Sequence, residues 1–386
     1  MNNFHKRLSR FVLLFVSVFV YLTQGRSDKK PKKKSTIVVV LTGKLGDIVC
    51  GTPVLLAIRK NLPRTRIIVG GATKLQRAVL SESGLVDEYL DLESKGALLR
   101  IKKVHADVAV VTGPSYLATV LLYVARIPLV VAPSVVGGFS PSETRPYKIL
   151  KRFIKTYPYE IGKYAPLERL SALRSLGIIS VDTKKHLAFS QEAEKRAQKF
   201  FVDQGILVGK DFIVAISPSA GNKIKEWPEE KFAEVVDHLA SKHQAKVIII
   251  GGPNDREKVN RTLEHLKVIK NCVSVTDFNV DELKAFISKI NLFISVDTGP
   301  IYIAEAFGIP TVDITGPIDE NEQPPIGPRN KVVVPQGDRK PELFVLNAKS
   351  YNYDEAIRQV NSISAAQVIG TVDSLVKELK NEISTK

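Results

Sequence analysis

Short apolar runs alternate with amphipathic segments along the chain from Ser35 onward. The runs are rich in Val and Ile, as in Thr36–Leu41 and Lys246–Ile250, a composition typical of strands that are buried on both faces of a parallel sheet. Between the runs, apolar residues recur every three or four positions, which is the spacing of a helix with one buried face. The alternation predicts a doubly wound α/β fold.

In the first half the pattern predicts strands at Thr36–Leu41, Arg66–Val69, Tyr89–Leu90 and Val108–Thr112, and helices at Ile48–Asn61, Lys74–Ser81, Ala97–Val104, Tyr116–Val124 and Ala165–Leu176. In the second half it predicts strands at Phe212–Ser217, Lys246–Ile250, Val273–Val275, from Phe293 to just before Asp297, and Lys331–Val334. The helices predicted there are Gln191–Gln204, Glu229–Lys242, one that ends near Leu266, Val280–Lys289, Ile301–Phe307 and Ala365–Glu382.

Residues 133–160 do not fit the alternation, because they contain Gly137-Gly138 and several prolines. We expect a loop and a helix there. The segment has a basic face made of Arg145, Lys148, Lys151, Arg152 and Lys155. This face is either a solvated surface or a contact with an anionic partner.

The length of 386 residues exceeds the size of one average domain, so two domains are expected. The pattern indicates a hydrophobic and basic segment at 1–34, Rossmann-like domains at 35–183 and 184–350, and a helical tail at 351–386. Charge is concentrated in the first of these segments. Nine Lys and Arg there, against the single acid Asp28, account for half of the net charge of +16. The remainder shows no nucleic-acid-binding motif, so nucleic acid is not an expected partner.

Phe11–Thr23 is apolar over about 13 residues and lies between basic clusters. As a helix it is roughly 20 Å long, shorter than the ~30 Å hydrocarbon core of a bilayer. The residues after it form a poor signal-peptidase site, and the following lysines oppose translocation. We interpret the run as an uncleaved membrane anchor that keeps the body on the cytoplasmic side, with the lysines against anionic headgroups. A cleaved signal peptide is the alternative.

Several kinds of site are not indicated by the sequence. Cys50 and Cys272 are far apart in the chain and predict no disulfide framework. The histidines form no HExxH motif, and His238 and His243 are spaced five apart, off a shared helical face, so no metal site is expected. P-loop, GxGxxG and GxSxG motifs are missing, as is the DxD spacing with which metal-dependent sugar transferases hold a diphosphate. No cofactor is therefore expected.

Loops at the ends of the predicted strands contain the candidate chemistry. Asp297-Thr298-Gly299-Pro300 follows a buried strand and opens a helix, an arrangement that presents N–H groups to an anionic ligand. Asp47 lies at the start of the first helix, as a cap or as a general base. Lys225 precedes a helix and suits a diphosphate, although an exposed loop lysine or an ordinary capped crossover explains these residues equally well. Trp227 is expected to pack rather than to bind ligand.

These motifs together resemble glycosyltransferase family 9, the ADP-heptose:lipopolysaccharide heptosyltransferases. The similar segments are Gly46-Asp47-Ile48-Val49 with Thr52-Pro53, Ser217-Pro218, Lys225-Glu-Trp-Pro228, Gly251-Gly252-Pro253, Asp297-Thr298-Gly299-Pro300 with Ala304, and Gly316-Pro317. They occur in order over about residues 36–330. The resemblance implies a GT-B architecture, in which two Rossmann-like doubly wound domains face each other across a cleft, with the acceptor in the first and the donor in the second.

The resemblance also implies a function and the residues that perform it. A metal-independent inverting transfer would move a heptose-like sugar from a nucleotide-diphosphate donor, ADP-linked by analogy, to a membrane glycolipid such as the lipopolysaccharide core. The enzyme would work at the cytoplasmic face of the inner membrane. The implied roles are Asp47 as base, Lys225, Gly252, Asp297, Thr298, Gly299 and Pro300 around the diphosphate and sugar, Asp255 at the nucleoside, and Phe278 beside the base.

Two residues depart from the pattern of the family. Tyr302 stands where a His is common, and Ser217 replaces the His of a His-Pro pair. Both fall near the expected donor pocket. A non-catalytic nucleotide-sugar-binding relative, or another GT-B enzyme such as a nucleotide-sugar epimerase, are therefore the alternative functions.

Overall fold

Two parallel sheets of six strands organise the chain, each at the centre of its own unit. The computed structural model describes residues 3–29, 35–71, 73–268 and 270–384. One unit consists of Met1–His186 with Val345–Asn347, and the other of Leu187–Phe344 with Ala348–Lys386.

The first unit begins with helix α1 (Asn3–Gln24) and contains all of the first sheet. Its strands are β1 (Thr36–Val40), β2 (Arg66–Gly70), β3 (Glu88–Leu90), β4 (Val108–Val111), β5 (Leu129–Val136) and β6 (Lys155–Glu160). Its other helices are α2 (Leu45–Val49), α3 (Thr52–Asn61), α4 (Lys74–Leu80), α5 (Ala97–Val104), α6 (Tyr116–Val124), α7 (Arg145–Leu150) and α8 (Ala165–Ser171).

The second unit repeats this scheme. Its strands are β7 (Ile213–Ser217), β8 (Lys246–Ile250), β9 (Cys272–Val275), β10 (Leu292–Val296), β11 (Thr311–Ile314) and β12 (Asn330–Val333). Its helices are α9 (Gln191–Asp203), α10 (Glu229–Lys242), α11 (Arg256–Glu264), α12 (Val280–Ile287), α13 (Gly299–Ala306), α14 (Tyr353–Ser362) and α15 (Ala365–Ser384).

The two sheets have the same topology. The first has the order β3-β2-β1-β4-β5-β6, the second the order β12-β11-β10-β7-β8-β9, and every pairing is parallel. In each, the strand order reverses between the first and fourth strands of the unit, which are β1 and β4 in one and β7 and β10 in the other. Ligands of open α/β sheets bind outside the carboxyl ends of the strands at such a switch point. The topology therefore places the loops after β1 and β7 where a ligand is expected.

The central strands are buried on both faces, as their composition predicts. Ile37, Val38 and Val39 of β1 are fully buried, and so are Ile248 and Ile249 of β8. Helices cover both faces because each strand leads into a helix that returns to the amino edge of the sheet. The predicted α/β class with two doubly wound sheets is confirmed.

The prediction of a loop and helix at residues 133–160 is only half right. α7 is present, but the segment also contains the end of β5 and all of β6, which pair in register from Val131 with Lys155 to Val136 with Glu160. The prolines made the sequence of these strands resemble that of a loop. Pro158 is tolerated because β6 is an edge strand, where a missing N–H costs no ladder bond on the open side.

The apolar run Phe11–Thr23 lies within α1, which packs against α6 and α7 of the first unit. Ser17 and Val20 face the unit and are buried, and the ring of Tyr21 stacks on Phe153 at 4.5 Å between centroids. The hydroxyl of Tyr123 donates a hydrogen bond of 2.9 Å to the carbonyl of Gly25. α1 is thus part of the first unit. None of the helices within the described residues combines the length and the apolar character needed to cross a bilayer.

Candidate active site

Lys225 and Asp297 meet at the switch point of the second unit. Lys225 ends a 3-10 turn in the loop after β7, and Asp297 immediately follows β10. The Nζ of Lys225 lies 2.6 Å from Oδ2 of Asp297, and both side chains are largely shielded from solvent, at 18% and 14% exposure. The Tyr302 hydroxyl donates to the other carboxylate oxygen of Asp297 and lies 2.8 Å from the carbonyl of Gln323. Residues 72 positions apart therefore form one charged cluster at the place predicted for an anionic ligand.

The amino end of α13 lies beside this pair. Thr298 is the N-cap residue, but its side chain makes no capping hydrogen bond, and Gly299 and Pro300 are the first helical residues. The amino end of a helix has a partial positive charge and N–H groups without intrahelical partners. These groups suit the phosphate of a nucleotide. The structure thus brings Asp297, Thr298, Gly299 and Pro300 to one edge of the sheet with Lys225.

The neighbouring loop, after β8, contains Gly252 and Asp255. β8 is adjacent to β7 in the sheet, so this loop opens at the same edge. The Gly252 N–H donates to Oδ2 of Asp255 at 2.8 Å, and Asp255 begins α11 as its N-cap residue. A β-carbon at Gly251 would lie 2.9 Å from Cβ of Asp255, so glycine is needed for the turn. In this structure Asp255 therefore stabilises its own loop.

Phe278 follows β9, the next strand along the same edge. It is 9% exposed and packs among Phe200 and Phe286, with ring centroids 5.5 and 5.4 Å away. The guanidinium of Arg196 lies over its ring at 5.3 Å. Phe278, the residue expected beside the nucleobase, is therefore part of an aromatic cluster.

One acidic residue of this region, Asp313, escaped the sequence analysis. Asp313, in β11 beside β10, is fully buried, and neither of its carboxyl oxygens has a hydrogen-bond partner among the described residues. Burial, together with the charge of Asp297 and, less strongly, of Glu305, raises the pKa of Asp313 well above its usual value, while Lys225 opposes the rise. In the sequence, Asp313 is a single charged residue within an apolar strand. Nothing in the local sequence indicates which residues lie beside it in the fold.

Asp47 lies at the corresponding switch point of the first unit. It belongs to α2, which follows β1, and its Oδ2 accepts a hydrogen bond of 3.0 Å from the backbone N–H of Lys44. Its Oδ1 accepts one of 2.8 Å from Arg169. Gly43 has a φ of +107°, and a β-carbon there would lie 2.2 Å from Oδ2 of Asp47. The loop is therefore built around the carboxylate, which makes the predicted capping contact and is also held by a cation.

Arg169 is the partner that the sequence did not reveal. It lies in α8, its side chain is 4% exposed, and a second nitrogen is 3.4 Å from the backbone carbonyl of Asp47. An arginine stays charged even when it is buried, so Arg169 holds the Asp47 carboxylate, which is 25% exposed, in a fixed orientation. The contact joins residues 122 positions apart and leaves no mark on local periodicity.

One further expectation, for Trp227, concerns packing. Trp227 is completely buried, its indole N–H donates to the carbonyl of Ile363 at 3.0 Å, and its ring meets Phe232 edge-on. The prediction that it packs rather than binds ligand is confirmed. Ser217 ends β7 and is also buried.

Comparison with known proteins identifies the chain. Residues 115–351 match the family described as Glycosyltransferase family 9 (heptosyltransferase). Lipopolysaccharide heptosyltransferase 3 of Escherichia coli (strain K12) is 26% identical over 288 residues, which cover 71% of this chain and 80% of that protein. The glycosyl transferase family 9 structure from Veillonella parvula has a TM-score of 0.73 at 21% identity and covers 90% of this chain and 98% of its own.

A second solved structure, E. coli ADP-heptose lps heptosyltransferase II, has a TM-score of 0.69 at 18% identity, over 89% of this chain and 99% of its own. These similarities, with the two parallel sheets, confirm the predicted GT-B architecture. The family match covers more than half of the chain. The protein therefore belongs to glycosyltransferase family 9, the heptosyltransferases, and is a glycosyltransferase.

Proposed function

We propose that this enzyme transfers a heptose from an ADP-linked donor to the core of a lipopolysaccharide-type glycolipid, with inversion at the anomeric carbon and without a metal ion. The names of the similar E. coli proteins, one a lipopolysaccharide heptosyltransferase and one an ADP-heptose enzyme, support the donor and acceptor classes. The residues at the two switch points support the reaction.

The second unit provides the donor half of the site. Lys225 and the amino end of α13 neutralise the diphosphate, a task that a metal performs in enzymes with a DxD motif. Gly252 lets the backbone approach the donor, while Asp255 and Phe278 contact the nucleoside. Asp297, held by Lys225 and Tyr302, is positioned to accept hydrogen bonds from sugar hydroxyls.

The first unit provides the base. Asp47 takes the proton from the acceptor hydroxyl, whose oxygen then attacks the anomeric carbon of the donor. The bond from that carbon to the β-phosphate oxygen breaks, and ADP leaves with the electron pair. A single displacement of this kind inverts the anomeric configuration. Arg169 acts as a positioning residue, because it fixes the carboxylate in place.

The Lys225–Asp297 pair, at the point where the strand order reverses, is the observation on which this proposal chiefly rests. The test is a transfer assay with ADP-heptose and a heptose-containing core acceptor, run with and without EDTA, in which NMR determines the anomeric configuration of the product. We expect an inverted product at a rate that EDTA does not change. Retention of configuration, or full loss of activity in EDTA, would refute the mechanism. Binding of ADP without any transfer or hydrolysis would favour the non-catalytic alternative.

The membrane-facing part of the proposal concerns α1. The helix exposes an apolar stripe that consists of Val12, Phe15, Phe19 and Leu22, with exposures from 54% to 76%. α7, which α1 contacts, exposes Arg145 and Lys148 beside it. We propose that α1 attaches the first unit to an anionic membrane surface by lying in the interface, which needs no spanning helix.

Two of the basic residues predicted to face an anionic partner differ in their surroundings. Arg152 is exposed, whereas Lys151 is half-buried and donates to Glu143 at 2.7 Å and to Ser134 at 2.9 Å. Lys151 is therefore better described as a structural residue of this surface.

Flotation of the full chain with vesicles tests the attachment. We expect binding to phosphatidylglycerol-containing vesicles, weaker binding to phosphatidylcholine vesicles, and loss of binding in a Phe15→Ser, Phe19→Ser double variant. Leu99→Ser is the matched control, because Leu99 is 66% exposed on another helix of the same unit. Equal binding by the double variant and the control would rule out α1 as the attachment.

A further inference from the structure

His238, His243 and Asp373 form a cluster away from the loops discussed so far. His238 lies in α10, His243 follows the end of that helix, and Asp373 lies in α15. The Nε2 atom of His238 is 2.8 Å from Oδ1 of Asp373, and the Nε2 atom of His243 is 2.6 Å from the same oxygen. One ligand atom from each residue lies within 4.8 Å of those of the other two.

The two histidines reach one carboxylate for a local reason. Their spacing of five positions does not share a helical face, but α10 ends at Lys242 and His243 is its C-cap residue. The side chain of His243 therefore no longer follows the helical spacing and turns to the same carboxylate as His238. Asp373 comes from a helix 130 positions further along the chain, which the local pattern does not show.

The carboxylate of Asp373 lies between two imidazoles and a lysine. His243 is 10% exposed, His238 22% and Asp373 28%, so the cluster is shielded and still reachable from solvent. Lys242 donates to the second carboxylate oxygen at 2.8 Å and is the most exposed member, at 58%.

We propose that His238, His243 and Asp373 bind a divalent transition-metal cation of the Zn²⁺ class. Two imidazole nitrogens and one carboxylate oxygen suit Zn²⁺, Co²⁺, Ni²⁺ or Cu²⁺, whereas Mg²⁺ and Ca²⁺ prefer oxygen ligands. Three protein ligands leave the fourth tetrahedral position to water. Both histidines bind through Nε2, with the proton on Nδ1.

The three ligand atoms must rearrange to admit an ion. Bonds of about 2.0 Å to a tetrahedral ion separate its ligand atoms by roughly 3.3 Å. The present Nε2 to Oδ1 distances of 2.8 and 2.6 Å are shorter by about half an ångström or slightly more, and the two Nε2 atoms lie within 4.8 Å of each other. Rotation of these partly exposed side chains supplies the movement, and Lys242 retains the second carboxylate oxygen.

The position of the cluster indicates a structural ion. His243 comes just before β8, at the amino edge of the second sheet, while Lys225 and Asp297 lie at the carboxyl edge of the same sheet. The ion would join α15 to α10, which pack together on this sheet through Val236, Leu239, Val372 and Val376. Binding to the native state alone stabilises it by mass action. The site is thus separate from the proposed metal-independent transfer.

The experiment measures metal binding by the full chain, purified without a histidine tag and stripped with a chelator. Calorimetry with ZnCl₂ alone is expected to show one ion per chain, and a hundredfold excess over Kd should raise Tm by a few degrees. CoCl₂ should produce the visible absorption bands of tetrahedral Co²⁺. MgCl₂ should produce neither effect. Failure of both Zn²⁺ calorimetry and the Co²⁺ spectrum in the wild-type chain would overturn the proposal.

Variants assign the binding to these residues. His243→Asn and His238→Asn each remove one ligand and should weaken binding by more than about 100-fold, since loss of an outer-shell partner alone costs 10- to 100-fold. His265→Asn is the matched control, because His265 is exposed in the same unit. Lys242→Met keeps all three ligands and removes a neighbouring cation, so binding should be retained or tightened. Unchanged Zn²⁺ affinity in both ligand variants would show an adventitious ion. These readouts do not depend on heptosyl transfer, so failure of one proposal leaves the other standing.

Discussion

The switch points of the two units have the same topology but different sets of charged side chains. In the first, one carboxylate, Asp47, is held by a buried arginine and a backbone N–H. In the second, the Asp297 carboxylate pairs with Lys225. The buried Asp313 lies close enough to both that their charges change its pKa.

This difference suggests why one fold serves two tasks. A buried arginine beside a single carboxylate holds that group in a fixed place, as the proposed general base requires. A lysine beside more than one acid gives a cation whose partner a diphosphate can replace, next to an acid whose pKa is raised. The strand order determines where the chemistry occurs. The side chains around each carboxylate determine which chemistry that carboxylate can perform.

The largest expected effect is the loss of the proposed base. Asp47→Asn keeps the shape of the side chain and removes its ability to accept a proton, so kcat should fall by about 10²- to 10⁴-fold. Affinity for ADP should not change, because the proposed donor residues lie in the other unit. The measurement is steady-state transfer together with calorimetry for ADP, and Asp182→Asn, an exposed aspartate of the first unit, is the control. A variant with near wild-type kcat would exclude Asp47 as the base.

Removal of Arg169 tests the buried partner of that carboxylate. Arg169→Leu leaves Asp47 without its cation and should lower the free energy of unfolding by roughly 3 kcal/mol, the lower end of the range for broken buried pairs, because Asp47 is partly exposed. Transfer should also slow, because the carboxylate loses the group that fixes its orientation. Denaturant unfolding and steady-state transfer check both effects. A destabilised variant with wild-type kcat would assign Arg169 to folding alone.

Replacement of Lys225 should lower the affinity of the enzyme for ADP. Lys225→Met removes a charge-assisted hydrogen bond of about 1.5–3 kcal/mol, so ADP should bind roughly 10- to 100-fold more weakly. Calorimetry measures this, with Lys223→Met as a control from the same turn, since Lys223 is exposed. Similar affinities in the two variants would contradict a role for Lys225 at the diphosphate.

The last expected effect, which concerns stability and not activity, is the pH response of Asp313. Its pKa is raised in the folded state, so above the usual pKa of an aspartate the folded chain binds more protons than the unfolded chain. The free energy of unfolding then falls as pH rises, by up to about 1.4 kcal/mol per pH unit, until the folded-state pKa is passed. Asp313→Asn removes this term, so it should be more stable than wild type at pH 8, with a difference that shrinks toward pH 4. Parallel stability curves for the two proteins would show that Asp313 does not titrate in this way.

Much of the fold and part of the site followed from local patterns. The ends of α5, α6, α10 and β8 agree with prediction to the residue, because each has a clear apolar period and a definite break. β5 and β6 were missed, since Pro133 in β5 and Pro158 in the edge strand β6 look like loop residues. Lys225 and Asp297 were identified because both lie in loops between strands and helices. Arg169, Asp313 and Tyr302 as a partner of Asp297 required the folded chain.

The sequence by itself determined the alternation of strands and helices, the family, and the residues that end each strand, because these depend on neighbours a few positions away. Only the tertiary structure decided which of those residues meet. Asp47 pairs with Arg169, Lys225 with Asp297, and His243 with Asp373. The partners in these pairs are 72 to 130 positions apart in the sequence. Such pairings arise when the order of strands in a sheet brings loops to one edge, and the hydrophobic period that forms each element contains no information about that order.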